Sequence, residues 1–246
     1  MDKNNERSWN KMLEGLRKIY NTNPQDKIVA FVDILGFKNK VNDGDSGIRD
    51  AMAHMWKTCK YAEDLDIFSF SDCLYIVADD TKLKDVLDLI AVIQRELLNI
   101  VDEDLTGSDL KYYIYMLRGG LTKGKVLSCP EENILFGEAV NRAYELESEC
   151  AEYPGILLEK DIYINETCKK YIYQYKCENT CELDDQCGKV KYFFDYMKYL
   201  KEEKKGGELD VVKIKELAEK EMENTKDEKI IKKIEWFIEY LNKSLK

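Results

Sequence analysis

Two aspartates stand at the ends of apolar segments, where a charged side chain needs a partner. Asp33 follows the β-branched run KIVAFV, and Asp72 lies within IFSFSDCLYIVA, at the expected tip of a hairpin. A carboxylate beside a buried strand is costly unless a hydrogen-bond donor or a cation compensates its charge. We therefore favour metal binding for both aspartates over the alternative, a role as turn or capping residues.

The residues after Asp33 form a short loop that contains glycine. We expect the backbone N–H groups of Leu35, Gly36 and Phe37 to face a phosphate ligand, to which Gly36 permits close approach. The chain has 246 residues with 38 Lys and Arg against 48 Asp and Glu, a formal net charge of −10. Sequence-independent binding of nucleic acid needs many Lys and Arg against phosphates, so this charge balance argues against that class. A small phosphate ligand would instead arrive with metal ions.

The elements that must position these residues alternate between strands and helices. Strands are predicted at 27–35, as two halves of 67–78, and at 112–120, 121–128, 155–159, 171–176 and 189–197. Helices are predicted at 7–20, 52–61, 82–101 and 137–148, and in the Lys- and Glu-rich tail from Glu208. This order predicts an α+β sheet covered by helices. We divide the chain into an N-terminal helix (1–26), a central domain (27–205) and a solvated helical appendage (206–246).

The start of the chain and the cysteines bear on location. The first 12 residues, MDKNNERSWNKM, are polar and contain no apolar signal core, and no apolar run reaches the ~18 residues of a membrane span. A cytoplasmic protein with reduced thiols is therefore expected. Cys168, Cys177, Cys181 and Cys187 suggest either a zinc knot or a reduced loop between strands, and their irregular spacing favours the loop.

Four segments together resemble the class III nucleotidyl cyclase family. They are VDILGF (32–37), FSFSDCLYIV (68–77), RGGLTKGKV (118–126) and LFGEAVNRAYELES (135–148). The resemblance covers about residues 27 to 200 and implies a ferredoxin-like, mostly antiparallel sheet, with helical appendages at both ends. It also implies that Asp33, Asp72 and the backbone carbonyl of Ile34 hold two divalent ions, Mn²⁺ or Mg²⁺. A homodimer with shared active sites, cyclising a nucleoside triphosphate, would follow.

Departures from the family pattern concern the base and the transition state. Purine cyclases of this class have Lys and Asp at the positions that Phe68 and Ile134 occupy here, so the groups that read a purine are absent. A site built to hydrogen-bond one base rejects another strongly, which argues against ATP or GTP. Asn141 matches the residue that orients the ribose. The expected transition-state Arg is Glu145 here, and Arg142, one turn earlier, is the candidate replacement.

The residues of these motifs are most similar to those of one branch of the class, the bacterial pyrimidine cyclases of the Pycsar antiphage systems. The resemblance implies synthesis of cyclic UMP or cyclic CMP, with UTP favoured over CTP as the substrate. This product would be a signal that a separate effector protein reads during phage infection. No nucleic acid and no membrane are expected as partners.

Three alternatives stay open. Because of Glu145, the protein could be a degenerate cyclase that senses a nucleotide without turnover. Palm-type polymerases and dinucleotide cyclases share the sheet with two aspartates and would make linked dinucleotides. In the third alternative, the amphipathic first helix and the charged tail are interaction surfaces of a scaffold.

Overall fold

A central sheet of eight strands organises the protein in the computed structural model, which describes residues 10, 13–15, 17–102, 111–176, 190–205 and 209–244. In chain order the described strands are β1 (Gln25–Ile34), β2 (Asp66–Phe70), β3 (Cys73–Ala78), β4 (Ile100–Val101), β5 (Tyr112–Tyr113), β6 (Leu117–Cys129), β7 (Ile134–Phe136), β8 (Gly155–Leu158), β9 (Ile172–Lys176) and β10 (Val190–Phe194). The main path runs β2-β3-β1-β6-β8-β10-β9, with β7 paired to β6, while β4 and β5 form a separate ladder. All of these pairs are antiparallel except β6 with β8.

Helices cover the sheet on both faces. Those described are α1 (Phe37–Asn42), α2 (Gly47–Cys59), α3 (Leu83–Leu97), α4 (Glu138–Glu145), α5 (Lys160–Tyr163), α6 (Glu166–Lys169), α7 (Tyr196–Glu203), α8 (Val211–Asn224) and α9 (Glu228–Ser244). Residues 17–21 are also helical, in line with the predicted N-terminal helix. The α+β class and the mostly antiparallel sheet are confirmed. Among the described helices, none is long and apolar enough to cross a membrane.

The central strand β1 divides the core in two because its side chains alternate between faces. Ile28, Ala30 and Val32 belong to the main core, which α2, α3 and α7 cover. Val29 and Phe31 belong to a smaller cluster beneath α4. Asp33 continues the second set, so it lies on the α4 face of the sheet.

The C-terminal helices are part of the main core rather than a solvated appendage. Ile234, Trp236, Phe237 and Tyr240 are all buried. The Trp236 ring lies 5.3 Å from that of Phe193 on β10. The expectation of a solvated tail is therefore wrong, because the apolar face of α9 finds a partner in the sheet. The division at residues 26 and 206 stays a prediction.

Two predicted boundaries differ from the structure. The helix predicted to reach Val101 ends at Leu97, because Ile100 and Val101 pair with β5. The strands predicted at 112–120 and 121–128 are not a pair: β6 runs without a break through Gly119 and Gly120. A glycine pair can also mark close approach of neighbouring elements, and here Gly120 meets the start of a π-helical turn that follows α4.

The cysteines follow expectation with one exception. Cys59, Cys73, Cys129 and Cys168 are free, whereas Cys150 is disulfide-bonded. The expectation of thiols is therefore wrong for Cys150, because the argument from compartment is a general one and does not fix the state of an individual cysteine. The described residues contain no group of three or more His, Cys, Asp or Glu able to hold a metal. Positions 177, 181 and 187 lie outside the described residues.

Replacing Gly119 by alanine is expected to destabilise the protein by about 1–3 kcal/mol, because a Cβ there would overlap the carbonyl oxygen of Phe31. Gly124, on the same strand, is the matched control: its Cβ would come no closer than 3.4 Å to Ala139. Urea denaturation of both variants measures the difference. Equal stability of the two would contradict the close approach of β1 and β6.

Candidate active site

The two predicted metal-binding aspartates lie together at one end of the sheet. Asp33 is the penultimate residue of β1, where it pairs in register with Cys73 on β3. Asp72 immediately precedes Cys73 in the turn between β2 and β3, and Ser71 in that turn has a φ of 55°. Asp72 therefore lies one residue from the partner of Asp33 in the β1–β3 ladder. The hairpin thus brings together two groups that are far apart in the sequence.

The environment of Asp33 opposes a second negative charge. Burial, followed by the hydrogen bond and the charge of Asp72, raises the pKa of Asp33 to about 8. Glu147 raises it further, and Arg118 counteracts this. A divalent cation would relieve the repulsion between the two carboxylates. Mg²⁺ is commonly held by one or two carboxylates, with water and substrate phosphates completing its shell, so the pair fits such an ion.

Ile34 contributes to this site only through its backbone. Its side chain is fully buried in the main core, on the opposite face of β1 from Asp33. Its carbonyl follows Asp33 directly along the chain. The predicted role of this carbonyl as a metal ligand therefore stays a prediction.

Sequence reasoning missed a charged network behind the aspartate pair. Arg118, on β6, pairs in register with Asp33 on β1. It also forms an ion pair with the buried Glu147. Lys233 on α9 is half-buried near both, and its pKa is lowered by burial and then by the positive charge of Arg118. The motif RGG contained Arg118, but only the strand register shows that it faces Asp33.

The loop after Asp33 supplies fewer donors than predicted. The N–H group of Leu35 donates to the carbonyl oxygen of Met116 at 2.8 Å, so it is not available to a ligand. This part of the prediction is wrong, because the β1–β6 ladder continues one residue past Ile34. Gly36 has a φ of 78° and turns the chain into α1. The N–H groups of Gly36 and Phe37 have no partner among the described residues.

The two positions assigned to base reading lie on opposite faces of the sheet, since Leu135 rather than Ile134 packs against the cluster beneath α4. Phe68 is only 2% exposed and packs in the cluster of Val29 and Phe31. A base would reach its ring only if neighbouring side chains moved. Ile134 is partly exposed on β7, where it pairs with Cys129. Neither position offers a polar side chain, and their role in base selection stays a prediction.

The two predicted catalytic residues lie on α4, which packs on β6 and β1. Asn141 is exposed. Arg142 donates from Nε to Oε1 of Glu159 at 2.6 Å, and its Nη1 lies 3.8 Å from Glu145. None of the described contacts joins either residue to the aspartate pair. In a single chain, therefore, Arg142 is held by acidic neighbours rather than directed at Asp33.

Three exposed aromatic side chains lie on the elements around the site, and two of them, Phe70 and Tyr144, are on the α4 face, whereas Phe136 on β7 alternates with Leu135 and faces away from it. Phe70, Phe136 and Tyr144 are each about half exposed, at 53%, 52% and 50%. Phe70 precedes the turn with Asp72, and Tyr144 lies on α4 with its ring 5.5 Å from that of Phe31. Apolar exposure around a polar site is typical of surfaces that bind another chain or a ligand.

Comparison with known proteins finds solved structures of similar fold but no matching sequence. No protein-family model matches the sequence, and no curated protein sequence matches it. The catalytic core of a rhodopsin-guanylyl cyclase with converted specificity, solved with ATPαS, is similar with a TM-score of 0.50 and 15% identity, over 70% of this chain and 97% of that one. The adenylyl cyclase CyaB from P. aeruginosa gives 0.45 and 16%, over 70% and 93%. The chain has the fold of the nucleotidyl cyclase catalytic domains.

Proposed function

We propose that the protein is a metal-dependent pyrimidine nucleotide cyclase, which converts UTP, or CTP, to a 3′,5′-cyclic mononucleotide and pyrophosphate. The observation that carries this proposal is the placement of Asp33 and Asp72 at the same end of the sheet, on a cyclase fold. Two ionisable groups that oppose each other's charge in this way are typical of functional sites.

Different residues of the chain would have different roles in the reaction. Asp33 and Asp72 would hold two divalent ions, which when bound supply positive charge to the 3′-hydroxyl and the triphosphate. The 3′-oxygen loses its proton and attacks the α-phosphorus, and the bond to the β-phosphate breaks to release pyrophosphate. The N–H groups of Gly36 and Phe37 are free to donate to phosphate oxygens. Arg118 limits the repulsion within the acidic cluster.

A pyrimidine base is proposed because Phe68 and Ile134 replace the groups that read a purine in the resembling family. Apolar side chains at these positions leave the polar edge of a purine without partners, and such a loss lowers affinity strongly. The residue types at these two positions favour neither pyrimidine. We place UTP first because of the resemblance to the Pycsar cyclases. The same resemblance supports a cytoplasmic role in antiphage signalling, with a separate effector reading the product.

The decisive experiment offers each of the four nucleoside triphosphates to the protein with Mn²⁺ and identifies the products by mass spectrometry. We expect cyclic UMP as the main product. Cyclic AMP or cyclic GMP as the main product would contradict the choice of base, and linked dinucleotides would indicate a palm-type enzyme. Nucleotide binding without any product would favour a sensor, the candidate that the Arg142–Glu159 ion pair supports.

A homodimer would complete the site, since Asn141 does not contact the aspartate pair within one chain. The exposed aromatics Phe70 and Tyr144 on this face support a second copy as the partner. In such a dimer, one subunit supplies Asp33 and Asp72, while the other supplies Asn141 and Arg142.

Mixing inactive variants tests the shared site. Asp33→Ala and Asn141→Ala proteins are each expected to have low activity alone. A mixture is expected to regain up to about a quarter of the wild-type rate, because half of the chains form heterodimers in which one of two sites is intact. The control mixes Asp33→Ala with Asp72→Ala, whose defects lie in the same half of the site. No gain in the first mixture after subunit exchange would contradict the shared site.

A further inference from the structure

A cleft of about 750 Å³ lies between the loop after β1 and the C-terminal helix pair, α8 and α9. We call it the helix-pair cleft. Leu35 and Gly36 line it from one side, and Lys220, Lys229 and Lys233 line it from the other. Its volume falls within the range of ~300–1,000 Å³ for small-molecule sites. Because Gly36 is three residues past Asp33, the Cα atoms of these two residues are at most about 11 Å apart.

The acidic residues that line the cleft are largely engaged already. Glu221 accepts from Lys40 at 2.8 Å. Asp45 accepts from the hydroxyl of Tyr115 at 2.8 Å and lies 3.8 Å from Lys40. Asp227 accepts from the N–H group of Lys229 at 2.8 Å, at the start of α9. Lys40 therefore balances Glu221 and Asp45. The other charged residues that line the cleft are four lysines, Lys111, Lys220, Lys229 and Lys233, and two carboxylates, Asp43 and Asp227.

The lysines from the helix pair are left without direct acidic partners. Within the described part of the chain, Lys220, Lys229 and Lys233 form no salt bridge within 4 Å. Lys233 is also half-buried. Its pKa is lowered by this burial and by the charge of Arg118, against the opposing charges of Asp227, Glu152 and Glu147, and a bound anion would stabilise its charged form. In a chain with a net charge of −10, such a site suits a small anion of high charge.

We infer that the helix-pair cleft receives the β- and γ-phosphates of the nucleotide, held by Lys220, Lys229 and Lys233. This inference rests on the proposed function and adds the C-terminal helix pair to the substrate site. The α-phosphate would lie at Asp33 and Asp72, and the chain of phosphates would extend past Gly36 towards Lys233. The helix pair would thus recognise the part of the substrate that leaves as pyrophosphate.

Titration calorimetry with inorganic tripolyphosphate tests the cleft directly. Without divalent metal, the measurement reports on the lysines rather than on the aspartate pair. We expect the wild-type protein to bind tripolyphosphate and UTP to displace it. The double variant Lys229→Met/Lys233→Met is expected to bind at least about tenfold more weakly, since hydrogen bonds to charged groups have such effects. Lys220→Met, at an exposed position, gives a second variant with little risk to folding.

Lys232→Met is the matched control, because Lys232 neighbours Lys233 on α9 but is exposed and does not line the cleft. It should bind as the wild type does. Equal binding by the double variant and the wild type would overturn the inference. So would weaker tripolyphosphate binding with an unchanged KM for the nucleotide, which would assign the cleft to another anion. If tripolyphosphate binds and UTP displaces it but no nucleotide is cyclised, the proposed function fails while the cleft assignment stands.

Discussion

Asparagine at position 33 or 72 is expected to lower the rate of cyclic nucleotide formation by at least about 10³-fold, the scale on which loss of electrostatic stabilisation acts. The reason is that each substitution removes one of the two carboxylates that meet at the end of β1. Asparagine keeps the size of the side chain, so the loss reflects charge rather than packing. The measurement is the initial rate at saturating Mn²⁺ and UTP.

Ser69→Ala is a suitable control, since Ser69 lies on the same hairpin and forms none of the described contacts to the aspartates. It should retain most of the activity. Activity near the wild-type level in both the Asp33→Asn and Asp72→Asn variants would contradict the metal site.

Asp33→Asn also has an expected effect on stability without metal. The raised pKa means that the folded protein keeps the Asp33 proton from pH 4 to about 8, whereas the unfolded chain has lost it. The folded state therefore binds more protons, and stability falls as pH rises through this window. Asparagine removes this loss, so the variant should melt at a higher temperature than the wild type at pH 9 in chelator. At pH 4 the two should differ little.

Trp236→Ala is expected to lower the free energy of unfolding by about 3–5 kcal/mol, the range for loss of a buried large aromatic. Trp236 is only 4% exposed, and its ring packs against those of Tyr153, Tyr173 and Phe193. If the tail were a separate appendage, the loss would be confined to it. Because the ring lies in the main core, we expect the whole unfolding transition to shift, as followed by denaturant titration.

Trp56→Ala supplies the comparison, because Trp56 is 40% exposed on α2. Trp56→Ala should lower the free energy of unfolding by well under half as much as Trp236→Ala does. Trp236→Phe should fall between the two, since it keeps an aromatic ring in the site. A Trp236→Ala protein as stable as Trp56→Ala would contradict the packing of α9 against the sheet.

The sequence was most informative where one short segment determines the local structure. The alternation in 67–78 and the polar Ser71 and Asp72 at its centre predict a hairpin, and the hairpin is present. The apolar run before Asp33 likewise predicts a buried strand that ends at a carboxylate. Both aspartates could therefore be identified, because each depends on the pattern of its own neighbours.

Features that depend on distant pairing could not be predicted in this way. Arg118 faces Asp33 only through the register of β6 against β1, which no local pattern fixes. Lys233 reaches the same region because α9 packs back on the sheet, although its Lys- and Glu-rich sequence resembles that of a solvated helix. The N–H group of Leu35 is engaged because β6 extends one residue further towards Met116.

The position of β1 in the sheet also affects how the chain folds during its synthesis. Both neighbours of β1, namely β3 and β6, follow it in the chain, and β6 ends only at Cys129. At about 5–20 residues per second, synthesis leaves this apolar strand without its second partner for several seconds or more. During that interval its free edge can pair with other nascent chains. Expression at lower temperature, or with a chaperone that binds extended apolar segments, should therefore raise the yield of folded protein.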